Sequence, residues 1–571
     1  MDMLQSKNER FYAIRMQVII MKAMNGVIAY GHEPKPVYAT WNDKFPEEKV
    51  CFEDERFLIH FDGVLLNAAE LKEELNCSNN QQILLKLYEL HGAELVFHAK
   101  GLYALVIWDK QAETVLITND LLSKRSIFYC MAEQMLCYAS SYHDLLDLLK
   151  QEGHCPPVDK VALADMIRQG FVSGSRTYLE DVSYLNAFES LLVDLKEGTT
   201  RLLRHEMKEI PVPTDENEIL DRFDRLFSRA VQLQFQKNAE YGYTQCATLS
   251  GGMDSRSCLL TAHKLGFDKD ILCFNYAQSG SLDYSISKDI AVDLGLDHLF
   301  YPMDAAVFLG RLDDAMAMNE CMQSGIGATG ARTMANVLNT ANFGLISIGI
   351  CGGELMGDLV RRNRKNESSN KLIRIAGRII NKLKEEYGHP EFKAEDYCFD
   401  LSEYFCHLRA SQNFPHMFLD KCECISPFMD EDVVMFVLQI NPGLLYDRRV
   451  YRKWMCRYIP NSYIVTSSCT TVDSSMIKEL FAKWKYRVLT RRNGISQWDM
   501  NPVNRWLETL PRHAQQCTAE YEDGCRQLAQ AGCNEDILSM IQSGWNSPWI
   551  KRLYVLTALQ ALKDMDIRFR S

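Results

Sequence analysis

Apolar residues in the first 200 positions come in short unbroken runs: FLIHF at 57–61, LYALVIW at 102–108, TVLIT at 114–118 and SIFYC at 126–130. Runs of this length between polar turns predict β-strands. Two stretches, 68–75 and 81–90, instead repeat apolar residues every three or four positions and predict helices. After Leu202 a polar stretch with Pro211 and Pro213 leads into helical periodicity near Asn217. A domain boundary is expected there, near residue 207. Beyond it, strand-like runs at 245–249, 271–276, 299–302 and 345–351 alternate with helical patterns. That alternation is the mark of βαβ units and a parallel sheet. From about residue 372 helical periodicity dominates, and no internal repeat interrupts it.

The chain has 571 residues, too many for one ordinary hydrophobic core and a length that favours two to four domains, and 47% of them are hydrophobic, enough to bury a sizeable core. We therefore expect domains at 1–206 and 207–571. A net charge of −12 offers no overall field for nucleic acid or anionic membranes, so a small molecule or a protein is the expected partner. The 19 cysteines are spread along the chain without the spacing of a disulfide scaffold, which reads as reduced thiols in a cytoplasm. Lys7, Glu9, Arg10, Arg15 and Lys22 break up the first 24 residues, and no later run is long enough to span a bilayer. Neither secretion nor membrane insertion is expected. The basic stretch 361–384 reads as an exposed insertion followed by an amphipathic helix. Trp484, Tyr486, Trp498, Trp506, Trp545 and Trp549 read as helix packing. Cys422 and Cys424 have no second pair at zinc-like spacing, and no zinc-type centre is expected.

The chemistry concentrates at 245–260, where an apolar strand ends in Ser250-Gly251-Gly252-Met253-Asp254-Ser255 and an amphipathic helix follows at once. Glycines let backbone N–H groups approach phosphate oxygens, and the helix aims its positive end at the same anion. Ser250 and Ser255 can add hydroxyl donors. Asp254 would repel a bare phosphate, so its presence points to Mg²⁺ between carboxylate and phosphates. A Gly-Gly turn alone would be an ordinary strand-to-helix connection; the six-residue run in this context reads as a nucleotide site.

This loop resembles the ATP pyrophosphatase loop of the asparagine synthetase family, and further segments are similar in the same order. FDGVLLN at 61–67 resembles the family's FNGEIYN, GLYALVIWD at 101–109 its GMFAFAIWD, and NDLLSKRSIFY at 119–129 its RDRLGIKPLYY. Residues 348–357 resemble the SGEGADELFG loop, and SPFMD at 426–430 the VPFLD segment. The resemblance implies an N-terminal αββα sandwich of the N-terminal-nucleophile type. It also implies a doubly wound parallel-sheet ATP pyrophosphatase domain with a helical C-terminal part. It implies ATP and Mg²⁺, with Leu249, Ser250, Gly251, Gly252, Asp254, Ser255, Tyr276 and Gly349 around the nucleotide, and Glu354 assisting the metal or the substrate.

Several positions depart from that pattern. Asp2 stands where a family glutaminase needs cysteine, the RGPD segment is missing, and Asp62 replaces the asparagine of the oxyanion hole, where a carboxylate repels developing negative charge. Glutamine hydrolysis is expected to be lost, leaving a structural remnant or a face for a second copy or a protein partner. In the synthetase half, Ile350 and Gly353 replace the family's first glutamate and its aspartate, and no lysine occurs at 460–471, where the family places a catalytic one. Arg256 is an available cation on a helix that could equally present it to solvent.

Three readings follow. The first is an AMP-forming amide ligase joining a small-molecule or peptide carboxylate to ammonia or an amine, which extends to peptide macrolactam and β-lactam cyclases. The second is a nucleotide-binding pseudoenzyme or regulatory module. A housekeeping asparagine synthetase ranks below the variant ligase.

Overall fold

A computed structural model describes residues 23–570 apart from 31, 133–134, 268–269, 363–396, 460–480, 482–483 and 485–499. Asp2, most of the basic stretch, the lysine-free segment 460–471, Tyr486 and Trp498 lie outside the described residues.

The N-terminal part is two stacked antiparallel sheets. One has six strands in the order Thr199–Arg204, Glu189–Asp194, Thr114–Asn119, Gly101–Asp109, Phe57–Leu65 and Val50–Glu53. The other has five: Lys35–Val37, Asn25–Ala29, Met135–Ala139, Phe128–Ala132 and Val182–Tyr184. Their apolar runs lack polar alternation because both faces are buried. Along Gly101–Asp109, Tyr103, Leu105 and Ile107 pack against helices Ala68–Glu74 and Asn80–His91, while Ala104, Val106 and Trp108 fill the space between the sheets. Helices Tyr142–Gln151 and Lys160–Gln169 cover the five-stranded sheet, with Phe128, Cys130, Cys137 and Ala139 beneath them. The result is the expected αββα sandwich.

The last strand of the sandwich ends at Arg204, and a 25-residue helix, Glu216–Glu240, begins at the N-cap Asp215. A five-stranded parallel sheet follows, ordered Asp297–Pro302, Ile271–Ala277, Gln245–Thr248, Leu345–Ser347 and Glu423–Ile425. In chain order this is 3-2-1-4-5, so the strand direction of growth reverses between Gln245–Thr248 and Leu345–Ser347. Ligands of doubly wound sheets bind at such a reversal, beyond the carboxyl ends of the strands.

One expectation is corrected. The strand expected at 345–351 stops at Ser347, because Ile348 to Gly353 turn over the neighbouring loop and Glu354–Asp358 forms a single π-helical turn. Helices dominate the described residues beyond 372 as expected, and among them Glu423–Ile425 supplies the fifth parallel strand, three buried residues too short to register as a pattern. Trp506, Trp545 and Trp549 pack on the C-terminal helical core as expected.

The two halves meet through buried charge. Arg125 pairs with Glu423 at 2.8 Å, Lys124 with Glu431 at 2.5 Å and Lys237 with Glu48 at 2.9 Å, each side chain 5% exposed or less. Among the described residues no helix is long and apolar enough to cross a membrane.

Candidate functional site

Strand Gln245–Thr248 ends in Leu249, and the chain then turns through Ser250, Gly251 and Gly252 into helix Met253–Lys264. The turn is held internally. Ser255 Oγ accepts the Ser250 N–H at 3.0 Å, Ser250 Oγ accepts the Gly252 N–H at 3.1 Å, and the Asp283 carboxylate accepts the Gly251 N–H at 2.9 Å.

Two glycines of the facing loop permit its close approach. A Cβ on Gly349 would lie 2.3 Å from Ser255 N, and one on Gly352 would lie 2.6 Å from Asp254 Cγ. The loop after the fourth strand is thereby pressed onto the first turn of the helix. A cavity of about 230 Å³ opens between them at the sheet's reversal point, lined by Thr248, Leu249, Ser250, Gly252, Asp254, Ser255, Phe274, Asn275, Tyr276, Ile348, Gly349, Ile350, Phe414 and Met500.

Asp254 is the most constrained group there. Tyr451 donates its hydroxyl to Oδ1 at 3.0 Å and the Gly353 N–H is donated to Oδ2 at 3.1 Å. Burial pushes its carboxyl up to about 6; Arg448, Tyr451 and the Gly353 N–H pull it back, and Glu354 pushes further. Each oxygen keeps a lone pair. No group of three or more His, Cys, Asp or Glu suited to a metal occurs among the described residues. One cavity-lining carboxylate beside the SGGMDS loop nevertheless fits Mg²⁺, which is commonly held by one or two carboxylates together with substrate phosphates.

Of the sequence-derived residues, Leu249, Ser250, Gly252, Asp254, Ser255, Tyr276 and Gly349 line this cavity, while Gly251, Glu354 and Arg256 stand outside its lining. The solvent-facing alternative for Arg256 is corrected: its side chain is fully buried, and Nε donates to Gly252 O at 2.8 Å. Burial lowers its pKa to about 10, with Tyr451, Asp254 and Asp283 opposing that shift. Arg256 braces the turn from behind. Tyr451, Asp283 and Arg448 were not singled out from sequence, because they lie 32 to 197 positions from their loop partners.

At the second place of interest, in the N-terminal sandwich, Asp62 is fully buried with Lys49 Nζ 3.8 Å away. Burial raises its carboxyl above the usual range, Arg125 and Lys49 pull it down, and Glu423 pushes it up. A four-membered charge cluster therefore occupies the position that the resemblance assigns to an oxyanion-binding amide.

Comparison with known proteins bears on both halves. Residues 46–204 match the model of a glutamine amidotransferase domain, and residues 245–347 match that of the queuosine biosynthesis protein QueC. Asparagine synthetase (glutamine-hydrolyzing) 1 of Bacillus subtilis is 21% identical over 272 residues, covering 46% of this chain and 42% of that protein. Asparagine synthetase (glutamine-hydrolyzing) 2 of the same organism is 24% identical over 268 residues, covering 43% and 34%. Amidase chry2 of Gibberella zeae is 22% identical over 345 residues, covering 55% and 49%. The chain thus spans half or less of the length of these curated relatives. With an amidotransferase-type sandwich followed by a parallel sheet that carries the SGGMDS loop, the chain is similar to asparagine synthetases, and these matches support an asparagine synthetase-like family.

Proposed function

We propose that the protein is an ATP-dependent amide ligase that works through an acyl-adenylate and does not hydrolyse glutamine. The observation that carries this reading is the convergence of Ser250, Gly252, Asp254 and Ser255 with Tyr276 and Gly349 on one cavity at the sheet's reversal point. In this scheme the adenosine lies toward Leu249, Tyr276 and Gly349, and the phosphates lie against Ser250, Gly251, Gly252 and Ser255 at the positive end of helix Met253–Lys264. Asp254 would hold the Mg²⁺ that travels with the nucleotide, with Glu354 beside it. That ion would neutralise phosphate charge as the α–β bond breaks.

A substrate carboxylate oxygen attacks the α-phosphorus, the α–β bridging bond breaks, and pyrophosphate leaves into the loop. The acyl-adenylate carbon is then attacked by an amine or ammonia, the nitrogen loses a proton and AMP departs. Asp62 at the place of the oxyanion-hole amide argues that the nitrogen does not come from glutamine in this domain. The amine is instead free ammonia or part of the substrate, and the latter describes a cyclase. The N-terminal sandwich, tied down by buried ion pairs, then serves as a structural support or a docking face.

The second reading, a nucleotide-binding pseudoenzyme, is favoured by Ile350 and Gly353, which leave this loop without two of the carboxylates that the resemblance would place there. The test is pyrophosphate release from Mg-ATP with panels of amino acids, carboxylates and amines. Equimolar AMP and pyrophosphate with one acid supports the ligase. ATP binding with no pyrophosphate release on any acid supports the pseudoenzyme.

A further inference from the structure

The cavity at the sheet's reversal point has two kinds of wall. Ser250, Gly252, Asp254 and Ser255 of the SGGMDS loop form the polar one. The other is apolar and comes from segments far apart in the chain: Ile350 in the loop after strand Leu345–Ser347, Phe414 on the short helix Asn413–His416, and Met500. All three residues are half-buried, packed on one side against the large core, and they line the cavity with the surface that remains. Each is tied in place. Ile350 O accepts the Ser426 hydroxyl at 2.8 Å, and Met500 O accepts the Gln278 N–H at 2.9 Å. Phe414 stacks on Phe418 with ring centroids 5.7 Å apart, and its neighbour Asn413 donates to Ser324 O at 3.0 Å.

In the ligase reading the nucleotide takes the loop together with Leu249, Tyr276 and Gly349, which leaves the apolar wall to the acid that attacks the α-phosphorus. A second carboxylate on that acid would have to shed its water against Ile350, Phe414 and Met500. Among the described residues the one charged side chain lining the cavity is Asp254, which repels such a group. An aliphatic or aromatic body is instead stabilised by burial there. Resting on the ligase reading above, we propose that the acid activated at this site carries an aliphatic or aromatic side chain, and that Ile350, Phe414 and Met500 set this preference.

The experiment measures pyrophosphate release from Mg-ATP by the full chain, with hydroxylamine as the amine. Its nitrogen attacks the acyl carbon and loses a proton, AMP departs, and the acid is recovered as a hydroxamate. Isocaproate, hydrocinnamate, leucine and phenylalanine are compared with succinate, glutarate, aspartate and glutamate. The expected result is a kcat/KM about 100-fold or more higher for the best apolar acid than for any dicarboxylate. Phe414→Ala and Ile350→Ala are each expected to raise the KM for that acid about 10-fold, with the KM for ATP held within about twofold. Phe414→Leu keeps an apolar body and is expected to lose less than Phe414→Ala. Met500→Lys puts a cation on the wall and is expected to narrow the gap between apolar acids and dicarboxylates about 10-fold. Preference for a dicarboxylate overturns the proposal and leaves the ligase reading standing. Alanine variants that raise the KM for ATP as much as that for the acid also overturn it, since the wall would then belong to the nucleotide. No pyrophosphate release with any acid of either set, from a chain that binds Mg-ATP, overturns this proposal and the ligase reading together.

Discussion

Tyr451, on helix Arg449–Tyr458, donates its hydroxyl to Asp254 Oδ1 at 3.0 Å, and its oxygen is 2.9 Å from Ser257 Oγ on the loop helix. One phenol thus links the C-terminal helical part to the carboxylate of the SGGMDS loop. Replacing it with phenylalanine keeps the ring packed against Phe428 and Trp454 and removes only the polar links. Tyr451→Phe is expected to weaken Mg-ATP binding by roughly tenfold, the size of a lost hydrogen bond to a charged group, with little change in melting temperature. Titration calorimetry beside a melting curve checks both parts.

Gly349 is required by close approach rather than by its dihedral angles. A methyl at 349 would lie 2.3 Å from Ser255 N and 2.6 Å from Asp254 C, both backbone atoms that no side-chain rotation can clear. Gly349→Ala is expected to destabilise the fold by about 1–3 kcal/mol, as overpacking does, and to abolish nucleotide binding. Urea denaturation gives the first value. Retained ATP affinity in a stable variant would contradict the packing described for the two loops.

The Arg125–Glu423 pair makes a prediction about the domain interface. Removing Arg125 leaves Glu423 and Asp62 buried with less compensation, and breaking a buried pair from one side typically costs about 3–5 kcal/mol. Arg125→Met is expected to lower the denaturation midpoint accordingly. Asp62→Asn is expected to be milder, since Lys49 and Arg125 then lose only one of the carboxylate charges that face them. It is also expected to release no glutamate from glutamine, which an enzymatic glutamate assay measures.

Interface stability should depend on pH through His416. Its imidazole is partly buried beside Ser126, and desolvation, reinforced by Arg125 and Arg409, lowers its pKa to about 4 from the ordinary 6.5. A depressed histidine pKa means that the unfolded chain takes up a proton before the folded one does. Stability is therefore fully present above pH 6.5 and falls as pH drops toward 4, by a few kcal/mol at most. Denaturation curves at pH 7 and pH 5 should show the loss, and His416→Gln should reduce it. An identical pH slope in the variant would place the proton uptake elsewhere.

The fold could be read from the sequence wherever burial on both faces or helical periodicity left long patterns: 101–109 is such a strand. Strands of three residues, such as Glu423–Ile425, carry too little pattern, and that omission hid the fifth member of the parallel sheet. In the site, the loop residues Ser250 to Ser255 were legible because one contiguous segment builds the turn. Tyr451 and Asp283 were not, because their roles arise only when the sheet brings distant segments together. Arg256 shows the limit from the other side. Its position in the helix left its direction open, and only packing against the turn reveals that it supports Gly252 rather than reaching the cavity.

The most direct measurement is binding of Mg-ATP by calorimetry to the wild-type chain and to Asp254→Ala, with an amino-acid carboxylate such as aspartate present in a parallel titration. The account predicts saturable binding to the wild type and a sharp loss in the variant. Equal binding in both, or none in either with or without the carboxylate, would contradict it.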